Sequence, residues 1–309
     1  MASLENVSHE KIRIRKKKAK SDTVIDVIVY AVLTLFAVVI LYPIINTLAY
    51  SLSDGMDSFY GKIHLWPRVW SLESYKELLF NRESIRYGAI VTLARTLIGA
   101  GIGVVANAFL AFVLSRKKFM FRSALSLFWI ITIYAQAGFV PVFYLYRKLH
   151  LTQSFWVYIV PGIISGIYVL VMRTYMKSIP DSLEEAANLD GAGYISIFWR
   201  IISPICMPVY AAIALFIATT QWNSWFDAMI YNRFSPKYTT LQYEMLKYCT
   251  YVVSARTDVN SIHGPQELPI SPRTIRSALA ILSMLPLLII YPFLQKYFVS
   301  GLTIRGVKD

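Results

Sequence analysis

The sequence predicts an all-α, polytopic membrane protein with six transmembrane helices, and three observations lead there. The 309 residues are 56% hydrophobic and only 16% charged, with mean hydropathy +0.49, whereas a soluble domain is roughly a quarter charged. The apolar residues gather in six long runs, each matching the roughly 20 residues a helix needs to cross about 30 Å of hydrocarbon with its own backbone satisfied. Lys and Arg gather in the segments that alternate runs leave on one side. An ordinary soluble enzyme is excluded. Cys206 and Cys249 form neither a disulfide framework nor a metal-ligand spacing.

The first run, 24–50, follows a basic stretch at 11–20. That flank is similar to the start of a signal peptide, but the run is too long and lacks a small-residue cleavage pattern, so it reads as a retained anchor. The remaining runs are 85–114, 124–146, 155–176, 201–230 and 275–298. An even number places both termini on one side. The arm (Lys11, Arg13, Arg15, Lys16, Lys17, Lys18, Lys20), the second-run exit (Arg116, Lys117, Lys118, Arg122), the fourth-run exit (Arg173, Lys177, Arg200) and the tail (Lys296, Arg305, Lys308) share that side. The opposite loops are less basic for their length, so the N- and C-termini are expected in the cytoplasm. The expected division is a basic arm 1–23, a six-helix transmembrane region 24–298 and a tail 299–309. The arm is read as touching anionic membrane lipid rather than nucleic acid, because it has no interleaved aromatics or recognisable module.

Of the outer loops, 51–84 holds Trp66-Pro67 and a helix-like stretch 71–79 expected on the membrane surface. The loop 231–274 is Pro-rich near 264–272 and is expected to hold no separate domain. Gly99 with Gly103, and Gly162 with Gly166, have the small-residue spacing that lets helices approach, a pattern that also arises by chance.

Between runs four and five lies a polar stretch, Ser178-Ile-Pro-Asp-Ser-Leu-Glu-Glu-Ala-Ala-Asn-Leu-Asp-Gly-Ala-Gly193. Pro180 suits a first turn, Asp181 or Ser182 can cap, Ser182 with Glu185 fits a capping box, and Gly191 or Gly193 can end the helix. A helix of two to three turns is expected. Leu183, Ala186, Ala187 and Asp190 then share a narrow face of small side chains flanked by carboxylates, suited to docking in a groove.

Glu185-Ala186-Ala187, Gly191, Ile201 and Pro204 match the spacing of the Glu-Ala-Ala signature of binding-protein-dependent ABC importer permeases, with Ser203 where the family usually has Leu. The sequence therefore resembles that family. Asp190-Gly191-Ala192 and the ending from Tyr291 to Thr303 resemble its carbohydrate-uptake branch, specifically the second permease of maltose-type and oligogalacturonide- or alginate-type importers. The resemblance implies the type I ABC importer permease fold, a bacterial cytoplasmic membrane location, and import of an oligosaccharide. It implies as partners a second homologous permease, two ATP-binding subunits that hold ATP and Mg, and an extracytoplasmic solute-binding protein. The loop 177–204 becomes a coupling helix seated on an ATPase subunit, with Glu185, Ala186, Ala187 and Gly191 as docking positions. Charge placement adds Glu184 and Asp190. The tail after Phe298 is similar to family tails that touch the ATPase.

No catalytic constellation is expected in the chain. Gly301 and Gly306 have a phosphate-loop interval, but Val307 stands at the lysine position. His9, His64, His150 and His263 are dispersed, and there is no G-x-S-x-G elbow. Polar residues inside spans mark interior contacts or a water-filled path. Here they are Arg95, Asn107, Gln136 and the group Gln221, Trp222, Asn223, Trp225, Phe226 and Asp227. Asn223 and Asp227, four apart, are expected on one helix face. The tryptophans read equally as an interfacial belt, and Arg95 equally as a helix–helix contact. If Arg95 faces the path, an acidic oligosaccharide is implied, since guanidinium grips carboxylate through two hydrogen bonds.

Overall fold

In this computed structural model, residues 20–61, 63–117, 119–135, 137–257 and 270–303 are described, and their regular elements are helices. Most of the basic arm, Lys118, Gln136, most of the Pro-rich stretch and the last six residues lie outside the described residues. The chain divides into two units, Met1–Asn46 and Thr47–Asp309.

The first unit is the body of helix α1 (Lys20–Ser51). Val29, Leu33, Phe36 and Ile40 are exposed on it. A helix apolar all round belongs in hydrocarbon, and its Pro43 is tolerated there.

The second unit begins with α2 (Gly55–Tyr60), capped by Asp54, whose carboxylate accepts from the Met56 N–H at 2.9 Å. Next comes α3 (Glu73–Lys76), which runs into a π turn at Glu77–Asn81. This is the segment expected on the membrane surface, and one side of it packs against the rest of the unit. Leu78 is fully buried with Ile85, Trp222, Leu241, Ala278 and Leu279, and Ser74 donates to Thr274 at 2.8 Å. Leu72, Leu79 and Phe80 on the same segment stay exposed.

The central strut is α4 (Glu83–Ser115). It is followed by α5 (Arg122–Tyr134) and α6 (Phe139–Lys148), then by 3-10 turns at Phe155–Tyr158 and Val160–Gly162 that lead into α7 (Gly166–Lys177). The polar stretch forms α8 (Asp181–Leu189). Its continuation is α9 (Tyr194–Ile197), a π turn at Phe198–Ile202, and α10 (Ser203–Ile205). Last come α11 (Met207–Asn223), α12 (Phe226–Tyr231), α13 (Leu241–Thr257) and α14 (Pro272–Thr303).

Among the described residues, three helices are long and apolar enough to span by themselves, Val24–Ser51, Glu83–Ser115 and Pro272–Pro292. The other expected spans are bent pairs: α5 with α6 at 115°, Phe155–Gly162 with α7 at 48°, and Tyr194–Ile205 with α11 at 82°. The helix of the fifth expected span, 201–230, is interrupted at Ser224 and Trp225, where α11 ends and α12 has yet to begin. The loop 231–274 also contains α13, whose first N–H, at Leu241, is received by the Thr92 hydroxyl at 2.9 Å.

Packing along α4 explains its glycines. A Cβ on Gly99 would lie 3.2 Å from the Gln221 amide nitrogen, and one on Gly103 would lie 3.0 Å from Ile217, so both glycines let α11 close on α4. Gly166 plays that part against Ile133, whereas Gly162 meets nothing within 4 Å. Fully buried Asn107 donates to the carbonyls of Gly103 and Ile163 at 2.6 and 2.8 Å and accepts from the Ser165 N–H at 2.9 Å. It thereby satisfies the backbone where the fourth span is bent, which hydrocarbon could not do.

Candidate functional site

Two groups of expected residues lie along α4, one at its C-terminal end and one near its middle. At the end where α4 stops, Lys117 and Arg116 meet α8. Arg116 pairs with Glu184 through side chains only 11% and 13% exposed, and the guanidinium lies 5.1 Å from the Phe112 ring centroid. Lys117 donates to Asp181 at 2.5 Å across an exposed pair. That hydrogen bond, reinforced by the ammonium charge, holds the Asp181 carboxyl below its ordinary range. Arg173 adds a bond to the Leu114 carbonyl at 3.1 Å. α8 is thus fastened from beneath by cations on the preceding strut.

The helix ends as its glycine requires. Gly191 has φ +78, the left-handed region that Cβ-bearing residues avoid. The Ala192 N–H reaches the Ala187 carbonyl at 2.9 Å and the Gly191 N–H the Asn188 carbonyl at 3.1 Å, so the last turn is closed. Gly193, by contrast, is extended at φ −73. The expected capping box does not form: Pro180 is the N-cap residue and no side chain caps the helix.

The expected docking residues separate into two faces. Ser182, Leu183, Glu185, Ala186 and Asp190 are exposed, as is Gly191. Ala187 is 7% exposed and packs inward with Met176, Ile179 and Phe198. Glu184 is committed to Arg116. These two are therefore corrected from contact surface to the seat on which the helix rests. The sequence reading missed Leu189, which is 89% exposed. Its spacing of three from Ala186 and six from Leu183 is the signal that could have found it. Tyr194 and Ile195, also exposed, flank an open apolar cavity of about 300 Å³ with Phe109, Phe112 and Val113. Ser203 is buried, with its hydroxyl 3.3 Å from that of Tyr210, a polar contact where the family's leucine would make an apolar one.

Near the middle of α4, Arg95 is 2% exposed. It donates to Gln221 Oε1 at 2.8 Å and to both Asp227 oxygens, at 3.2 and 2.5 Å, while its guanidinium sits 4.3 Å over the Tyr158 ring. Gln221 in turn donates to the Tyr158 carbonyl at 3.0 Å. Arg95, Gln221 and Asp227 thus form one buried brace joining α4, α11, α12 and the bent fourth span. With its donors directed to these partners and little surface exposed, Arg95 is a helix–helix contact, and the argument for acidic cargo drawn from it falls away.

The other expected path residues are not part of that brace. Trp222 is 5% exposed and donates its indole N–H to the Ser283 carbonyl at 2.8 Å, so it belongs to the core against α14. Asn223 is exposed, and it does not share a helix face with Asp227, because the helix breaks between them. Trp225 is 39% exposed at that break. No group of His, Cys, Asp and Glu among the described residues could hold a metal ion.

This architecture of bent and straight apolar helices around a fastened polar helix defines a multi-pass membrane component. Residues 96–231 match the family described as "Binding-protein-dependent transport system inner membrane component". The chain is 29% identical over 283 residues to the polygalacturonan/rhamnogalacturonan transport system permease protein YtcP of Bacillus subtilis, covering 92% of this chain and 98% of that one. It is 29% identical to the galactooligosaccharides transport system permease protein GanQ of the same organism, covering 90% and 94%. Its structure superposes with TM-score 0.81 on a chain of a bacterial ABC transporter involved in import of the acidic polysaccharide alginate, at 27% identity and covering 91% and 99%. Over nine-tenths of its length the chain is thus similar to ABC importer permeases, membrane components without catalytic activity of their own, and it shares the type I fold of the alginate importer's chain.

Proposed function

We propose that this permease carries an oligosaccharide, delivered by an extracytoplasmic solute-binding protein, into the cytoplasm, driven by ATP hydrolysis in two partner ATPase subunits that hold ATP and Mg. A second, homologous permease completes the path, and both termini lie in the cytoplasm. The observation that carries the coupling role is the two-sidedness of α8: an inner side tied by Arg116 and Lys117, and an outer side presenting Leu183, Glu185, Ala186, Leu189 and Asp190. A helix fixed to a rigid strut transmits a push from the ATPase into α4, whereas a loose loop would absorb it. Uncovered Leu189 supplies apolar surface to bury in a partner's cleft.

An acidic cargo is supported by the relatives, whose names specify polygalacturonan and alginate. The test of coupling is direct. Glu185→Lys and Leu189→Asp leave membrane insertion intact, since both side chains point outward, and abolish copurification of the ATPase. Retained ATPase binding by both variants would remove α8 as the coupling element.

A further inference from the structure

The turn between α4 and α5 and the end of α7 bring cations together beside the seat of α8. Arg122 opens α5, Lys177 closes α7, and with Arg116 and Lys117 they line an open cavity of about 520 Å³. The one carboxylate in its lining is Asp181, which Lys117 already holds at 2.5 Å, and Arg116 is bonded to Glu184. The Arg122 guanidinium and the Lys177 ammonium make neither an ion pair nor a hydrogen bond among the described residues.

Arg173, one turn before Lys177, adds a third charge. Its Nε donates to the Leu114 carbonyl at 3.1 Å, and it lies close enough to Arg122 and Lys177 for the like charges to repel. Arg122 and Arg173 are half-buried, so solvent and salt screen that repulsion less than they would at an open surface. A cluster of this kind is relieved by an anion. Planar guanidinium groups suit the oxygens of a phosphate, which they bind through paired hydrogen bonds.

The neighbouring surface decides which phosphate. Along α7, Ile167, Val171 and Thr174 form an exposed stripe that runs up to Lys177, and the Thr174 hydroxyl is satisfied by the Leu170 carbonyl at 2.8 Å. Leu127, Phe128 and Ile131 are exposed on α5, which packs on α7 where Gly166 meets Ile133. Apolar surface leading to a cluster of Arg and Lys matches a phospholipid, with its acyl chains along the helices and its headgroup among the cations. Basic pockets between spanning helices on the cytoplasmic side bind anionic headgroups in this way. The cavity takes in Pro180 and Asp181 at the start of α8 but none of the outward-facing Leu183, Glu185, Ala186 or Leu189. The cations therefore stand behind α8 rather than on the face offered to an ATPase.

We propose that Arg122, Arg173 and Lys177 form a binding site for the phosphate headgroup of an anionic phospholipid from the cytoplasmic leaflet, whose occupancy steadies the seat of α8. The inference rests on the importer reading above, which puts α8 on the cytoplasmic side. It is tested on the complete transporter, unaltered and carrying Arg122→Gln with Lys177→Gln. The first probe is fluorescent phosphatidylglycerol added to the detergent-purified complex, a measurement that needs no transport. The double variant binds it about ten-fold more weakly, whereas Arg122→Lys with Lys177→Arg, which keeps both charges, retains it. Equal binding by the glutamine variant overturns the site. The second measurement is saccharide uptake in vesicles of phosphatidylcholine, alone or mixed with phosphatidylglycerol. The anionic lipid raises uptake by the unaltered complex and not by the glutamine variant; an equal rise in both overturns the link to α8. Inorganic phosphate added to phosphatidylcholine vesicles leaves uptake unchanged, and phosphate that replaces the lipid overturns a lipid source. Loss of the ATPase on purification of the glutamine variant also overturns the proposal, by making the cations a protein contact. An unaltered complex that binds phosphatidylglycerol and hydrolyses ATP yet moves no saccharide would instead overturn the importer reading and leave the lipid site standing.

Discussion

The middle of α4 and its C-terminal end each use an arginine, a carboxylate and an aromatic ring, yet they solve different problems. Arg95 is 2% exposed, bonded to Asp227 and Gln221, with Tyr158 beneath it. Arg116 is bonded to Glu184 at intermediate exposure, and its neighbour pair Lys117 and Asp181 stands in water, with side chains 75% and 58% exposed. Burial makes the first pair a permanent joint, because a charge stranded there would have no solvent to turn to. Arg116 and Glu184, 11% and 13% exposed, are buried about as deeply as Arg95 and Asp227, at 2% and 22%, so it is the exposed Lys117 and Asp181 pair that makes the second set the shallower one.

The comparison is most easily broken at the buried joint. Asp227→Ala strands the Arg95 charge and is expected to destabilise the fold by about 3–5 kcal/mol, seen as lost yield and a lowered melting temperature of the purified complex. Combining Arg95→Leu with Asp227→Leu recovers most of that loss, since an apolar pair of similar volume requires no desolvated charge. If the double variant is no better than Asp227→Ala, the joint is not a charge pair in energetic terms.

The seat responds less. Glu184→Ala removes one charge-assisted bond at intermediate burial and is expected to cost about 1–2 kcal/mol. Its signature is poor coupling: stimulated ATP hydrolysis survives while uptake falls, because α8 moves without α4. Equal loss of both activities would deny α8 a separate role.

The exposed pair responds least and is the one that salt reaches. Raising ionic strength weakens Lys117 with Asp181 and leaves Arg95 with Asp227 untouched. The Asp181 carboxyl is held below its ordinary value of 3.8 by the Lys117 hydrogen bond and charge. Its contribution is therefore fully present above pH 3.8 and declines only as the pH falls below that, through the lowered folded value. Between pH 5 and 8, ATPase binding should show no titration from this pair. A Lys117→Gln complex that loses its salt dependence over that range without a change in pH profile confirms the assignment.

Much of the fold was legible because hydrocarbon imposes length and apolarity on each span. The punctuation of α8 was legible for a similar reason: Pro180 and Gly191 act through their own backbone geometry. The bends in spans three to five were not, since they depend on groups far along the chain, such as Asn107 receiving the Ser165 N–H. The α13 helix was missed because its long loop context hid a mixed sequence, and the polar partners of Arg95 could be named but not paired.

By itself, therefore, the chain's sequence determined which segments are apolar enough to cross a membrane, that a short polar helix lies between two of them, and the family to which the chain is similar, because these follow from local composition and residue spacing. Only the tertiary structure decided which face of α8 is free, that Ala187 and Glu184 are its seat, that Trp222 is core, and that Arg95 is spent within the protein. Those outcomes depend on contacts between residues 60 to more than 130 positions apart, and the charge of a side chain does not reveal which distant partner the fold will bring to it.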